Sequence, residues 1–415
     1  MEPSTIVAIV AIVTGLYMAW NIGANDVANA MGTSVGSGAL TLKRALIVAA
    51  VFEFAGAMLV GGTVTDTVSK GIVDLESIDA TSVELAMGMA CCLLASAMWL
   101  HIASYMGWPV STTHSIVGSV LGFGMIAGGP SSIHWPNVAV ITTSWVISPI
   151  LGALTAYAMF VHIRRRILST ENPLHAMHRH GPFLLFPVGA MLALSLIYKG
   201  LKPLHLDLSL RTSILIGLGV GALFVLVSAP LLGRMTREAH QLSLHKNLRR
   251  TEKVFLVLQI ITASFVAFAH GSNDVANAVG PMAAVFHLLS GNPAAKVKIS
   301  FYVLIVGACG IVFGLATYGY KVIATVGSKI TELTPSRGFA AEFATASTIL
   351  IASKLGLPIS TTHTLVGAVI GVGLARSVGA IDTDVLRGIA ASWFVTVPLT
   401  ALLSAILYKL SSFLV

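Results

Sequence analysis

The sequence predicts an all-α polytopic membrane protein of about 12 transmembrane segments, built from two inverted-topology repeats with broken helices or re-entrant hairpins. Three observations lead to this prediction. The chain has 415 residues, of which 55% are hydrophobic and only 10% are charged, whereas about 25% of the residues of a soluble domain are charged. Apolar stretches of about 17–25 residues, long enough to cross a bilayer core as a helix, recur along the chain. Several motifs of the first half also return in the second half, in the same order.

Three repeated motifs indicate an internal duplication. The first pair is GANDVANA and GSNDVANA, which begin at Gly23 and Gly271. The second pair is PVSTTHSIVG and PISTTHTLVG, which begin at Pro109 and Pro358. The third pair is Trp145 and Trp393, each with a proline four or five residues later. The interval between the copies is 248 or 249 residues each time. Because order and spacing agree, each half is expected to be one copy of the same structural unit.

The apolar stretches divide the chain into three parts. Residues 1–163 are predicted to form the first repeat, with five spans near 5–30, 45–62, 82–105, 116–127 and 137–161. Residues 164–253 add two spans, near 183–198 and 213–232, and a basic loop at 234–253. Residues 254–415 then form the second repeat. In the first span, Gly23 and its polar neighbours predict a break near the middle of the membrane.

The distribution of basic residues predicts the orientation. Five spans, two connecting spans and five more spans place the two repeats in the membrane in opposite senses. Most Lys and Arg residues fall in cytoplasmic loops if both termini are extracytoplasmic, as the positive-inside bias requires. The net charge of +8 is therefore read as a topology signal and not as a nucleic-acid surface. No charged segment with a cleavage site precedes the first span, which is expected to remain in the membrane.

The repeated Asn-Asp motif predicts a buried cation site. A carboxylate inside a membrane helix costs at least roughly 2.5–3.5 kcal/mol, so acids there usually serve a function. Residues four apart share a helix face, and carboxylate, amide and opened backbone oxygens are the groups with which transporters hold Na⁺. Hydrogen bonding between helices would also explain the amides, but it explains an ionised Asp poorly. The predicted ligands are Asn25, Asp26, Asn29, Asn273, Asp274 and Asn277.

The Pro-x-Ser-Thr-Thr-His motif predicts an anion site. Proline suits the first turn of a helix and Ser or Thr suits its cap. Such a start exposes backbone N–H groups and the positive end of the helix dipole beside several hydroxyls. Two copies from inverted repeats could face each other across one tetrahedral anion, although a single copy could also be ordinary capping. The predicted ligands are Ser111, Thr112, Thr113, Ser360, Thr361 and Thr362.

Other polar residues have less specific signals. Glu53 and Glu342 are acids deep in predicted spans, and they do not align with each other at the repeat interval. Each is a candidate coupling-ion ligand, proton site or half of a buried pair. His114 and His363 end the hydroxyl runs, where they could contact the anion or only orient the turn. Arg337 could meet an anion at the cytoplasmic mouth or anchor a loop.

Taken together, the doubled motifs and the segment TPSRGFAAEFA resemble the inorganic phosphate transporter (Pit) family over nearly the whole chain. The resemblance implies phosphate uptake driven by an ion gradient, with no organic cofactor. It implies Na⁺ binding at Asn25, Asp26, Asn273 and Asp274, phosphate binding at the two Ser-Thr-Thr runs, and a requirement for Glu53 and Glu342 in transport. The Asn-Asp pairs look more like those of Na⁺-coupled than H⁺-coupled members. The short basic loop is similar to prokaryotic members and implies a protein of the inner membrane.

Several alternatives stay open at this point. An H⁺-coupled phosphate carrier or a sulfate permease would share the same fold, and the sequence leaves a homo-oligomer open. An enzyme would need a base and an orienting partner beside its nucleophile, and it would not need two symmetric copies. A passive channel would favour a continuous polar lining, whereas the polar residues here cluster in two motifs. A secondary transporter is therefore the expected class, with phosphate, Na⁺ and the lipid bilayer as its partners.

Overall fold

The structure, a computed structural model, describes residues 2–61, 71–197, 208–236, 243–290, 301–354, 359–411 and 413. Pro358 and the middle of the basic loop lie outside these residues. Apart from an isolated bridge between Val73 and Ile133, the regular elements in the described residues are helices. They are α1 Pro3–Gly36, α2 Leu42–Val60, α3 Ser82–Met106, α4 Thr112–Ala127, α5 Trp135–Ile163, α6 Pro173–Ser195, α7 Leu210–Met235, α8 Leu244–Asp274, α9 Ala276–Leu289, α10 Phe301–Tyr318, α11 Tyr320–Ala324, α12 Pro335–Lys354, α13 Thr361–Arg376 and α14 Thr383–Ser411, with short 3₁₀ and π turns between some of them.

Helices of the first half pack mainly against helices of the second half. Helix α1 packs against α10, and its counterpart α8 packs against α2. In the same way, α5 packs against α13 and α14 packs against α4. Helices α6 and α7, from the part between the repeats, pack mainly against each other. The exchange of contacts in matched pairs is what two structurally equivalent halves related by a pseudo-two-fold axis would produce.

Small residues at matched positions make these contacts possible. Gly122 and Gly371 occupy equivalent positions in α4 and α13. A Cβ atom on Gly122 would lie 2.0 Å from the carbonyl oxygen of Ala401, and one on Gly371 would lie 2.2 Å from that of Ala153. Each glycine has another four residues before it in a GxxxG pattern, which lets helix backbones approach closely in membranes. The helices that begin with the Ser-Thr-Thr-His runs are thereby held tightly against the last helix of the other repeat.

The hydropathy of the helices confirms a multi-pass membrane fold. Seven helical segments of the described chain are long and apolar enough to cross a bilayer. They are Pro3–Gly36, Ser82–Met106, Trp135–Leu168, Leu210–Met235, Leu244–Leu289, Phe301–Tyr318 and Thr383–Ser411. Helix α4 is apolar but shorter. The count of about 12 spans and the boundaries of the three parts remain predictions.

The predicted break in the first span is wrong. Helix α1 runs without interruption for 34 residues through the whole first motif. Its Gly23 serves close packing, because a Cβ atom there would lie 1.9 Å from the carbonyl oxygen of Ile311 in α10. In the second copy the regular helix pauses only at Val275 between α8 and α9, and the backbone of Val275 stays in the right-handed helical region. Both copies of the motif therefore lie in a helical segment that passes through without a bend region of its own.

Candidate functional site

The two Ser-Thr-Thr-His runs form the first turns of α4 and α13. The hydroxyl of Ser111 accepts a hydrogen bond from the backbone N–H of His114 at 3.2 Å, and Ser360 accepts one from His363 at 3.1 Å. Both serines are therefore N-caps, as the pattern predicts. All six predicted anion ligands are buried. The capping geometry leaves the threonines that follow each serine free to face other helices.

Asparagines from each repeat contact the threonines of the opposite repeat. The Nδ2 atom of Asn29 donates to Thr362 Oγ1 at 2.9 Å and to Thr361 Oγ1 at 3.3 Å. The Nδ2 atom of Asn277 reaches Thr112 and Thr113 at 3.2 and 3.4 Å. The last asparagine of each Asn-Asp motif therefore lies against the helix start of the other repeat, and the two contacts are related by the internal duplication.

The two aspartates meet at the centre of this arrangement. Thr362 donates to Asp26 Oδ1 at 3.1 Å, and Thr361 donates to Asp274 Oδ2 at 2.8 Å. His270 Nε2 lies 2.8 Å from Asp274 Oδ2 and 3.7 Å from Asp26 Oδ2. One atom of each of these three residues lies within 4.8 Å of the other two, close enough to share a metal ion. In the described part of the chain, Asp26 Oδ2 and Asn29 Oδ1 accept no hydrogen bond.

The first asparagine of each motif has a different environment. Asn25 Nδ2 donates to Ser104 Oγ and to the carbonyl of Trp108, while its Oδ1 accepts from the backbone N–H of Val110 at 3.2 Å. Asn25 thus fixes the chain directly before the first helix start. Asn273 donates to Asp274 Oδ1 at 2.9 Å. Both asparagines therefore lie at the edge of the cluster. Their amide groups hold neighbouring groups in place, the backbone of Val110 for Asn25 and the carboxylate of Asp274 for Asn273.

The two buried glutamates lie in separate environments. His270 Nδ1 lies 3.3 Å from Glu53 Oε1, so Glu53 belongs to the same cluster as the aspartates. Glu342 is held elsewhere by four hydrogen bonds of 2.6–3.1 Å. Its donors are Thr33, Ser34, Gln259 and Thr262, which belong to α1 and α8. Glu342 therefore joins α12 to both helices that carry the Asn-Asp motifs.

Four aromatic rings stack directly behind the helix starts. The ring of His114 lies 4.3 Å from that of His363, centroid to centroid. Trp145 covers His114 at 3.7 Å, and Trp393 covers His363 at 3.6 Å. The side chains of both histidines therefore fix the two helix starts against each other. Arg337 lies apart from the cluster, where it donates to the carbonyl of Glu332 at 2.8 Å.

Sequence reasoning missed several members of the site. His270 directly precedes the second motif, but the equivalent position before the first motif is Ile22, so the repeat does not mark it. A histidine deep in an apolar run with an aspartate four residues later was the available signal. The donors to Glu342 are single Ser, Thr and Gln residues in helices, and no spacing marks them.

The chain is similar to known phosphate transporters. The model of the phosphate transporter family matches residues 22–404. The chain is 45% identical over 414 residues to the chloroplast inorganic phosphate transporter 2-1 of Arabidopsis thaliana, covering 94% of this chain and 70% of that protein. It is also similar to a solved structure described as the sodium-dependent phosphate transporter, with a TM-score of 0.90, 40% identity, and coverage of 99% of this chain and 100% of that one.

Proposed function

Because the chain belongs to the phosphate transporter family and is a transporter and not an enzyme, we propose that it imports inorganic phosphate coupled to Na⁺ by alternating access. One observation carries the proposal: hydroxyls at the helix start of one repeat bond directly to the Asn-Asp motif of the other, as in the 3.1 Å contact between Thr362 and Asp26. An anion site and a cation site built this way share side chains. Occupation of one site then changes the field at the other, which is the physical basis of coupling.

The proposed phosphate ligands are the two helix starts. Their free backbone N–H groups and the positive ends of two helix dipoles favour a multiply charged oxyanion. Thr112, Thr113, Thr361 and Thr362 add hydroxyl donors, and Thr361 and Thr362 would turn to the anion from the aspartates to which they now donate. Ser111 and Ser360 hold the first turns in shape through their caps, and because their oxygens act there as acceptors, each hydroxyl can still donate its proton to the anion. Two equivalent starts that converge from opposite repeats suit the symmetry of a tetrahedral ion.

The proposed Na⁺ ligands are the oxygens of the Asn-Asp motifs. Asp26 and Asp274 supply hard, charged oxygens, and Asn29 supplies an amide oxygen that accepts no hydrogen bond within the described residues. Asn277 holds the corresponding place in the second copy, while Asn25 and Asn273 position the aspartates and the adjoining chain. Carboxylates buried in a membrane protein are strongly stabilised by a bound cation. The donor set therefore fits Na⁺, which is a cargo of the proposed cycle.

The two glutamates are proposed to support transport in different ways. Glu53 balances the charge of His270 beside the cation site. Glu342 links α12 to α1 and α8, so a change in one of these helices is transmitted to the others. The duplicated pairing of helices between the repeats supplies the two equivalent arrangements that alternating access requires. By the positive-inside bias, the proposed orientation places both termini outside the inner membrane.

Uptake into proteoliposomes tests the proposal. Labelled phosphate should accumulate when an inward Na⁺ gradient is imposed, and it should fail to accumulate when K⁺ replaces Na⁺. Excess unlabelled sulfate should leave the uptake unchanged. Accumulation driven by a pH gradient alone would favour the H⁺-coupled alternative, and inhibition by sulfate would favour the sulfate permease.

Removal of the capping hydroxyls should weaken phosphate binding. Ser111→Ala and Ser360→Ala should each weaken it by roughly 1.5–3 kcal/mol, the contribution of one hydrogen bond to a charged group. This corresponds to a rise of roughly 10- to 100-fold in the KM for phosphate. Ser209→Ala is the matched control, because Ser209 caps α7 in the same way, through the N–H of Thr212, outside the cluster. Ser209→Ala should leave the KM for phosphate unchanged. An equal rise in KM in all three variants would show that loss of any helix cap has this effect, and that Ser111 and Ser360 do not bind phosphate.

A further inference from the structure

A long apolar groove runs along the outer face of α5. Two cavities of about 460 and 580 Å³ adjoin there and share Thr155 and Phe343 in their walls. The first lies between α5 and α12 and the second between α5 and α6. Neighbouring apolar side chains face outward, with Ile147 of α5 exposed by 47% and Ile351 of α12 by 54%. We call the two joined cavities the lateral groove.

The lateral groove ends at a group of cations. Its lining on α5 recurs every three or four residues from Ser144 through Leu151 and Thr155 to His162. This spacing keeps one helix face. Directly after His162 and Ile163 the chain enters the π turn Arg164–Leu168, which carries Arg165 and Arg166 at this end of the groove. Both arginines are exposed. The neighbouring Arg164 is already engaged, because it donates to the carbonyl of Ala375.

Helix α6 packs against the π turn that carries Arg165 and Arg166, so its cations border the same end of the groove. Burial lowers the pKa of His180, which precedes the predicted span at 183–198, and nearby positive charges lower it further. Those charges belong to Arg179, Arg166 and His162. No carboxylate in the described chain forms an ion pair with this group. The apolar lateral groove therefore ends at a group of positive charges that has no acidic partner among the described residues.

From this complementarity we propose that the lateral groove binds an anionic phospholipid, with an acyl chain between α5, α6 and α12 and the phosphate headgroup at Arg165, Arg166 and Arg179. A hydrocarbon chain suits the apolar walls, and the cations satisfy the headgroup charge. Basic pockets between membrane helices are known to favour such lipids, which are concentrated in the cytoplasmic leaflet. Phe343, which forms part of the groove wall, directly follows Glu342. The bound lipid would therefore contact the helix that carries this glutamate.

Native mass spectrometry of the purified full-length protein tests the proposal. The protein is titrated with phosphatidylglycerol or with phosphatidylcholine of identical acyl chains. The wild type should retain phosphatidylglycerol at least about tenfold better, since each basic residue near a membrane surface contributes about 1 kcal/mol. The double variant R165A/R166A should bind phosphatidylglycerol roughly 30-fold less well than the wild type, because it loses two such contributions. The matched control K43A/R44A removes two exposed charges from the start of α2 and should bind as the wild type does.

A second variant tests the apolar part of the groove. Thr155→Trp fills the shared wall of the two cavities and should reduce retention of phosphatidylglycerol, with an unchanged oligomeric state on gel filtration. Equal retention of the two lipids by the wild type, or wild-type binding by R165A/R166A, would overturn the proposal. So would a smaller oligomeric state of Thr155→Trp than of the wild type without loss of lipid, because a second copy of the chain would then fill the groove of the wild type. If Thr155→Trp does not fold, lipid retention by R165A/R166A alone tests the proposal, because both arginines are exposed. These readouts do not depend on phosphate transport.

Discussion

Replacement of Asp26 by Asn is expected to abolish Na⁺-driven phosphate uptake while the protein still inserts and folds. The substitution preserves the shape of the side chain and removes one negative charge from the proposed cation site. A unit charge pair about 4 Å apart contributes about 4 kcal/mol at an effective dielectric constant of about 20. Uptake should therefore fall by at least roughly 100-fold. Labelled phosphate uptake into proteoliposomes, at matched protein content, measures the effect.

Two further variants define what the Asp26 result means. Asp274→Asn should have a similar effect, because Asp274 is the equivalent residue of the second copy and contacts the same histidine. Asp384→Asn is the matched control, since Asp384 is exposed and pairs with Arg387 at the surface. It should transport as the wild type does. Wild-type Na⁺-dependent uptake by Asp26→Asn would rule out a role for this carboxylate as a cation ligand.

The second large effect is expected at His270. Among the described residues it is the only basic side chain that contacts Asp26, Glu53 and Asp274. His270→Leu leaves these buried acids without their counter-charge, and removal of one partner from a buried ion pair typically costs about 3–5 kcal/mol. The variant should lose transport and show a clearly lower thermal unfolding temperature in detergent.

A double variant separates loss of charge balance from loss of packing. In His270→Leu combined with Glu53→Gln, one of the uncompensated acids becomes neutral, so the unfolding temperature should recover in part. Glu53→Gln alone removes a partner of His270 and should be destabilising by itself. The interaction energy from this cycle should therefore be clearly different from zero. Additive losses from the two single variants would show that His270 and Glu53 are not coupled.

The fold could be predicted largely because the membrane restricts the choices. Runs of apolar residues without charge require helices, since no other open structure satisfies the backbone in lipid. The duplication then followed from motifs such as those at Gly23 and Gly271. The partners of each helix could not be predicted. Hydropathy identifies a membrane span but not the helix against which it packs. The packing of α1 against α10 and of α8 against α2 depends on glycine contacts that are visible only in three dimensions.

The grouping of the candidate residues was predictable where two copies of a motif reinforced each other. Asp26, Asp274 and the two Ser-Thr-Thr runs were identified in this way, and the structure places them together. The method failed where the copies differ. His270 corresponds to Ile22 in the first copy, and Glu53 has no counterpart at the repeat interval. The expected break at Gly23 failed for a different reason, because a glycine in a membrane helix permits either a bend or a close contact and only the neighbouring helix decides between them.

The exchange of helix partners between the halves bears on how such a chain could arise. Neither half can complete its own packing, because α4 needs α14 and α13 needs α5. On the proposed inverted topology, an ancestral single-unit protein would have needed a second molecule inserted in the opposite sense to cover the same surfaces. Such an ancestor would have entered the membrane in both directions, and gene fusion would later have fixed one molecule of each direction in a single polypeptide.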